Sequence, residues 1–287
     1  QNRLCLQGVF LYERIKAMLD EILHRRLRAP YALHFEVLRN PKNPRHTLVM
    51  LHGIGSSTRM WYDVAGTLPD DVRVIAIDLL GFGSSPDPGW VKYDAHTQAN
   101  SILTTLLLHR VPFKSVIIGH SLGALVSVEL ARRFPLYVSS LILISPPIYK
   151  PSRGKVVATQ KEDVLRGIYK ILYRNPGGTE RALKLARKYY VKRTGAKVPN
   201  GLNVDSFLAA LEACIINQST IDHIEDINAP ITVISGSRDP LIVNKNLSTL
   251  ANKKGSMRHI VVKKGGHNIV GIMKDAVVQE ITQILTK

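Results

Sequence analysis

The residues best placed to do chemistry are the five of Gly119-His120-Ser121-Leu122-Gly123. They follow a β-branched apolar run, Ser115, Val116, Ile117 and Ile118, and precede a helix-like run over residues 124–133 with Ala, Leu and Glu and no Pro. Strand, G-x-S-x-G, helix is the context of a nucleophile elbow. Gly119 and Gly123 let the strand and the helix approach closely, and Ser121 is held at the tip of the turn. The motif alone is weak. With glycine at about 7% of residues, roughly one serine in 200 has both flanking glycines by chance.

Two further residues stand after later apolar runs. Asp239 lies in Ser235-Gly236-Ser237-Arg238-Asp239-Pro240, and His267 in Gly265-Gly266-His267-Asn268. A serine hydroxyl is a poor nucleophile until a base removes its proton during attack. Histidine ionises near neutrality, so it can take that proton and return it to a leaving group. A buried carboxylate holds the imidazole tautomer and stabilises the imidazolium. Ser121, Asp239 and His267 therefore form a candidate Ser-Asp-His triad in that chain order. The negative charge on a tetrahedral intermediate needs two preorganised N–H donors. Leu122, just after the serine, supplies one. The glycines of His52-Gly53-Ile54-Gly55 let a second backbone segment curl inward, and Ile54 is the expected second donor. His52 is read as a structural residue that bonds loop backbone. Asp78 is a rival acid, but its strand precedes the nucleophile. No His/Cys/Asp/Glu cluster has metal-ligand spacing and no phosphate-cradling glycine loop occurs, so neither a metal nor a cofactor is expected.

These residues need a frame, and the hydrophobic pattern supplies one. Strands are expected over residues 31–38, 47–51, 72–77, 115–118, 140–145, 230–234 and 258–263. Helices are expected over residues 61–68, 95–109, 124–134, 243–252 and 270–285. This alternation predicts βαβ units, hence a mostly parallel twisted sheet with helices on both faces. Reactive residues then collect at the C-terminal ends of the strands. The rhythm breaks over residues 148–222, which show helical patterns, such as residues 180–192, and no convincing strand. Residues 4–28 read as an amphipathic helix, with Phe10, Leu11, Ile15, Met18, Leu19, Ile22 and Leu23 at helical spacing. Such a stripe either docks a helix on the body or offers a face to a membrane surface or a second copy.

Charge is the unusual compositional feature. The 287-residue chain carries 39 Lys+Arg against 22 Asp+Glu, a net of +17. Residues 150–197 alone hold 14 basic and 3 acidic residues, an excess of 11. The basic residues come without a finger, zipper or aromatic-basic strand motif, which sets nucleic acid aside. A basic surface favours anionic substrates or lipids, through the basic insertion or through residues 4–28. No run reaches the roughly 18 apolar residues of a membrane span. Cys5 and Cys214 are isolated, which favours a reducing, cytoplasmic compartment.

With these motifs together, the chain resembles the α/β-hydrolase superfamily, in the group with a serine nucleophile and a helical cap inserted after the sixth strand. The resemblance rests on HGIG at 52–55, DLLGFGSS at 78–85, GHSLG at 119–123, SGSRD at 235–239 and GGH at 265–267. It covers about residues 31–287 and implies a hydrolase core (31–147 and 223–287) and a cap (148–222), with residues 1–30 an N-terminal helical extension outside it. Relatives that use an aspartate nucleophile, epoxide hydrolases and haloalkane dehalogenases, are set aside by Ser121. Ser145 stands where some relatives carry their acid and cannot serve as one. Asp78 takes the family role of shaping the glycine turn. The usual first hairpin is short or missing, with the N-terminal helix in its place. The resemblance implies cleavage of a small carboxylic ester through an acyl-enzyme. Carbon–carbon bond hydrolysis of dienones shares the triad, and a non-catalytic ligand-binding protein shares the fold.

Overall fold

The structure is a computed structural model; it describes residues 14, 15, 18–149, 188 and 203–286. Seven strands form one sheet: β1 (Phe35–Arg39), β2 (His46–Leu51), β3 (Val72–Ile77), β4 (Ser115–His120), β5 (Val138–Ile144), β6 (Ile231–Gly236) and β7 (Met257–Val262). Their order is β1-β3-β2-β4-β5-β6-β7. β1 runs antiparallel to β3, and every other neighbouring pair is parallel.

Both faces of the sheet are covered. On β2, Leu48 and Met50 join one core with Trp61, Val64, Met273 and Val277, while Val49 and Leu51 join the other with Ile102, Leu125 and Leu143. This two-sided burial is why the strands read as unbroken apolar runs. Each large side chain so buried contributes about 2 kcal/mol. The short α1 (Tyr62–Ala65) and the C-terminal α7 (Ile272–Leu285) cover one face. The other carries α2 (Ala95–Leu108), α3 (Leu122–Arg133) and α6 (Asn244–Lys253). Asp94 caps α2, its carboxylate accepting the Thr97 N–H at 2.8 Å.

Between β5 and β6 the described chain is helical: α4 (Val204–Ala210) runs into a π turn (Leu211–Ile216), then α5 (Thr220–His223). Phe207, Leu211 and Ile215 join the core that contains Leu125 and Val128 of α3. One edge strand stands where a hairpin is usual, so this insertion follows the fifth strand of seven rather than the sixth. The expected helix at residues 180–192 lies outside the described residues, apart from Lys188, as does most of the basic run.

Three boundaries differ from expectation. The strand expected over residues 31–38 starts at Phe35, because the preceding N–H groups bond to side chains instead of a ladder. Leu33 donates to Thr105 Oγ1 at 2.8 Å and His34 to Ser85 Oγ at 2.9 Å. The helix expected over residues 61–68 begins as a 3₁₀ turn (Thr58–Trp61) and ends at Ala65. Of the N-terminal helix, residues 18–20 are α-helical and Glu21–Arg26 form a π turn with no buried residue. Its polar side meets the body: Tyr31 donates to Asp20, and His24 stacks on Tyr31 at 3.7 Å.

Candidate active site

The parallel register brings the relevant strand ends level. Leu51 of β2 pairs with Gly119 of β4, Gly119 with Leu143 of β5, Ile144 with Ile234 of β6, and Gly236 with Val262 of β7. The chain leaves β4 through Ser121, whose φ of 52° and ψ of −115° lie outside the ordinary wells. Its N–H donates to Ile144 O at 2.9 Å, tying the turn to β5. A side chain on Gly119 would collide with the Gly123 carbonyl and the Ser127 hydroxyl. One on Gly123 would strike the Leu51 and His52 carbonyls. The two glycines are thus required by close approach of strand, helix and the loop after β2.

The turn aims Ser121 at His267. Ser121 Oγ lies 3.1 Å from His267 Nε2, and His267 Nδ1 lies 2.8 Å from Asp239 Oδ2. All three are buried. The other carboxylate oxygen of Asp239 accepts the Leu241 N–H at 2.9 Å. Burial pushes the Asp239 carboxyl up, yet its net position is below the ordinary carboxylate value. His267, the Leu241 N–H and the Ser145 hydroxyl together outweigh desolvation. With Asp239 ionised, Nδ1 of His267 carries the proton and Nε2 presents a lone pair to the serine. That is the state a general base requires.

The loop over residues 52–55 crosses beside Ser121. A Cβ on Gly53 would sit 3.2 Å from Ser121 Cβ. Among the described residues, the N–H groups of Ile54 and Leu122 bond to no acceptor. Leu122 opens α3, so its N–H is one of the unpaired donors of a helix N-terminus. His52 holds this loop: its Nδ1 donates to Gly53 O at 2.7 Å and its Nε2 accepts the Leu79 N–H at 2.9 Å. Both nitrogens are then occupied by backbone, in a neutral ring whose pKa burial lowers. Asp78 lies 3.8 Å from that ring. Its carboxylate accepts the Thr58 N–H at 2.6 Å and the Ser84 N–H at 2.8 Å. A Cβ on Gly83, at φ 59°, would collide with it. Asp78 shapes the turn, and Asp239 is the carboxylate that meets His267.

His120 carries a contact that no sequence pattern signals. It spans 147 positions to bond the His267 carbonyl through Nε2 at 2.9 Å. A carbonyl only accepts, so Nε2 is the protonated nitrogen. The rings lie 5.0 Å apart. Burial, then the neighbouring His267, pushes the His120 pKa down to about 3. It is a neutral strut under the backbone of His267. The type and place of His120, inside the elbow, were visible; the partner was not.

Comparison with known proteins bears on the family and the fold. The model of the alpha/beta hydrolase fold family matches residues 46–271. Over 237 residues the chain is 27% identical to a pimeloyl-[acyl-carrier protein] methyl ester esterase of Aeromonas hydrophila, covering 77% of this chain and 87% of that protein. A shorter stretch, 40% of this chain, is 31% identical to a probable lysophospholipase of Arabidopsis thaliana, BODYGUARD 2, of which it covers 26%. Among solved structures, an esterase from Exiguobacterium antarcticum superposes with a TM-score of 0.74 at 16% identity, covering 89% of this chain and 96% of that one. A bacterial membrane phospholipase A superposes with a TM-score of 0.66 at 20% identity, covering 100% and 98%.

Proposed function

Since the chain belongs to the alpha/beta hydrolase fold family, we propose that it cleaves a carboxylic ester through an acyl-enzyme formed on Ser121. The observation that carries the reading is the unbroken hydrogen-bonded line Ser121–His267–Asp239. His267 takes the Ser121 proton as Oγ attacks the ester carbonyl. The carbonyl oxygen becomes an oxyanion facing the Ile54 and Leu122 N–H groups, at the positive end of α3. Collapse breaks the carbon–oxygen bond to the alcohol, which leaves with the proton held by His267. A water molecule then gives its proton to His267 and attacks the acyl carbon. The acid is released, and the proton returns to Ser121. Asp239 holds the ring and offsets its transient positive charge.

The relatives named for methyl ester and lysophospholipid chemistry support an ester as substrate class. We assign residues 148–222 to a cap that selects the acyl and alcohol groups, since specificity in this architecture lives in insertions and loops. The described part supports it: Tyr93 and Asp87, in the loop after β3, contact Ser206 of α4.

The test is a panel of p-nitrophenyl esters of increasing chain length beside a ring-cleavage dienone, together with fluorophosphonate labelling. Wild type should cleave the esters and take the label at one site. Ser121→Ala should lose both while melting normally. Labelling that survives Ser121→Ala would overturn the nucleophile. Turnover of the dienone alone would move the reaction to carbon–carbon hydrolysis.

A further inference from the structure

The N-terminal helix is docked the wrong way round for a helix that only stabilises the body. Asp20 and His24 face inward: Tyr31, itself buried, donates to Asp20, and His24 stacks on the same ring. His24 Nδ1 also donates to Ala29 O at 2.7 Å, so the segment is held by polar contacts. The opposite side carries Ile15, Met18, Leu19, Ile22 and Leu23, at the i, i+3, i+4, i+7, i+8 spacing of one helical face. All are exposed; Met18 keeps 55% of its surface and Leu27, just beyond, keeps 68%. Leaving that much apolar surface in water is unfavourable, which points to something that covers it.

The charges beside the stripe say what covers it. Arg14, Arg25, Arg26 and Arg28 are all exposed. Glu21 pairs with Arg25, and Arg14, Arg26 and Arg28 have no acidic partner among the described residues. Trp90 is exposed beside them, with the Arg25 guanidinium 6.0 Å from its ring. Trp90 belongs to the loop that leaves the C-terminal end of β3, the end of the sheet where Ser121 sits. An apolar stripe flanked by arginines and an indole is the pattern of a helix lying in a membrane interface. A second copy is a poor cover: pairing this face with itself would bring the arginines of two chains together, each chain at +17. An anionic lipid surface supplies the opposite charge.

We propose that this helix seats the catalytic end of the protein on an anionic phospholipid surface, with the Met18–Leu19–Ile22–Leu23 face in the acyl boundary and Trp90 at the headgroups. The seat brings the active-site end of the sheet to a source of lipid esters, and it is independent of the reaction assigned above. No helix among the described residues is long and apolar enough to cross a membrane.

The test is co-sedimentation with vesicles of phosphatidylcholine alone and of phosphatidylcholine mixed equally with phosphatidylglycerol. The full chain should bind the mixed vesicles, weakly bind the neutral ones, and release with salt. Trp90 emission should shift to the blue on binding, whereas Trp61 is buried in either state. Changing Met18, Leu19, Ile22 and Leu23 together to Gln should weaken binding more than about tenfold. Arg26→Ala and Arg28→Ala should each cost about fivefold on mixed vesicles and nothing on neutral ones. Turnover of p-nitrophenyl acetate by the same variants should match wild type, so a docking failure is distinct from a failure of the ester reading. No binding to either vesicle, undiminished binding by the four-residue variant, or a stripe-dependent dimer in place of vesicle binding would each overturn the proposal.

Discussion

Two buried Asp–His pairs lie at neighbouring strand ends, and they do different things. Asp78 and His52 follow β3 and β2; Asp239 and His267 follow β6 and β7. All four side chains are nearly inaccessible. In the first pair every polar atom accounted for serves backbone. His52 joins Gly53 to Leu79, and Asp78 gathers the N–H groups of Thr58 and Ser84. In the second, Asp239 spends one oxygen on backbone and the other on His267, which leaves Nε2 aimed at a hydroxyl. The composition of the two pairs is the same. The difference is that backbone claims both imidazole nitrogens of His52 and neither of His267. Burial of an Asp–His pair therefore marks neither as catalytic; the hydroxyl that meets His267 Nε2 is what makes the second pair the candidate.

The largest effect should come from breaking the second pair. Asp239→Asn keeps shape but removes the charge that favours the Nδ1–H tautomer. Steady-state kinetics should show kcat down by about 10⁴-fold, on the precedent of serine proteases, with a near-normal melting curve. Breaking the first pair should invert that pattern. Asp78→Asn leaves one of the Thr58 and Ser84 N–H groups a weaker, neutral acceptor and turns the amide NH2, a donor, toward the other. At roughly 1.5 kcal/mol or more for each bond to a charged group, urea unfolding should show a loss of about 3 kcal/mol. The folded fraction should keep kcat within about tenfold of wild type. If Asp78→Asn abolished turnover of folded protein and Asp239→Asn spared it, the roles would be exchanged.

The contrast between the pairs was partly legible in the sequence. Ser121, Asp239 and His267 stand out because each follows an apolar run, and a parallel sheet sends such residues to one end. Asp78 was separable from Asp239 by chain order and by the glycines after it. Ile54 and Leu122 follow from the elbow and the glycines at 53 and 55. Periodicity does not report which side of an amphipathic helix meets the body. Ile15, Met18 and Leu19 formed the expected stripe, but Asp20, His24 and Tyr31 decided its orientation, and their contact joins residues 11 apart. The start of β1 was misread for a related reason. Leu33 and His34 look like strand residues, yet Thr105 and Ser85 take their N–H groups from far along the chain.

His120 links the two pairs, and it sharpens the comparison by the smallest effect. Its Nε2 donates to the backbone of His267, and its Nδ1 points toward Gly53, in the loop that His52 holds. The ring is neutral, with its pKa pushed from 6.5 down to about 3. In the unfolded chain the same side chain protonates near 6.5. Between those values the unfolded state binds more protons, so stability falls as pH falls. The slope from one such group is at most about 1.4 kcal/mol per pH unit. Asp239 pulls in the same direction, but only near and below the ordinary carboxylate value, because its folded pKa is lowered. Unfolding measured from pH ~6.5 to ~4.5 therefore lies above the Asp239 window, and since burial also lowers the pKa values of His52 and His259, the His120 share is the difference from a variant that lacks it. His120→Gln keeps a donor for the His267 carbonyl and cannot titrate there. Its stability at neutral pH should lie within about 1 kcal/mol of wild type, since one neutral hydrogen bond is exchanged for another. Its stability should then decline less steeply than wild type across that acid window. Equal slopes would show that His120 is charged in the folded protein. It would then be no neutral strut, and the proton on Nδ1 would need an acceptor near Gly53.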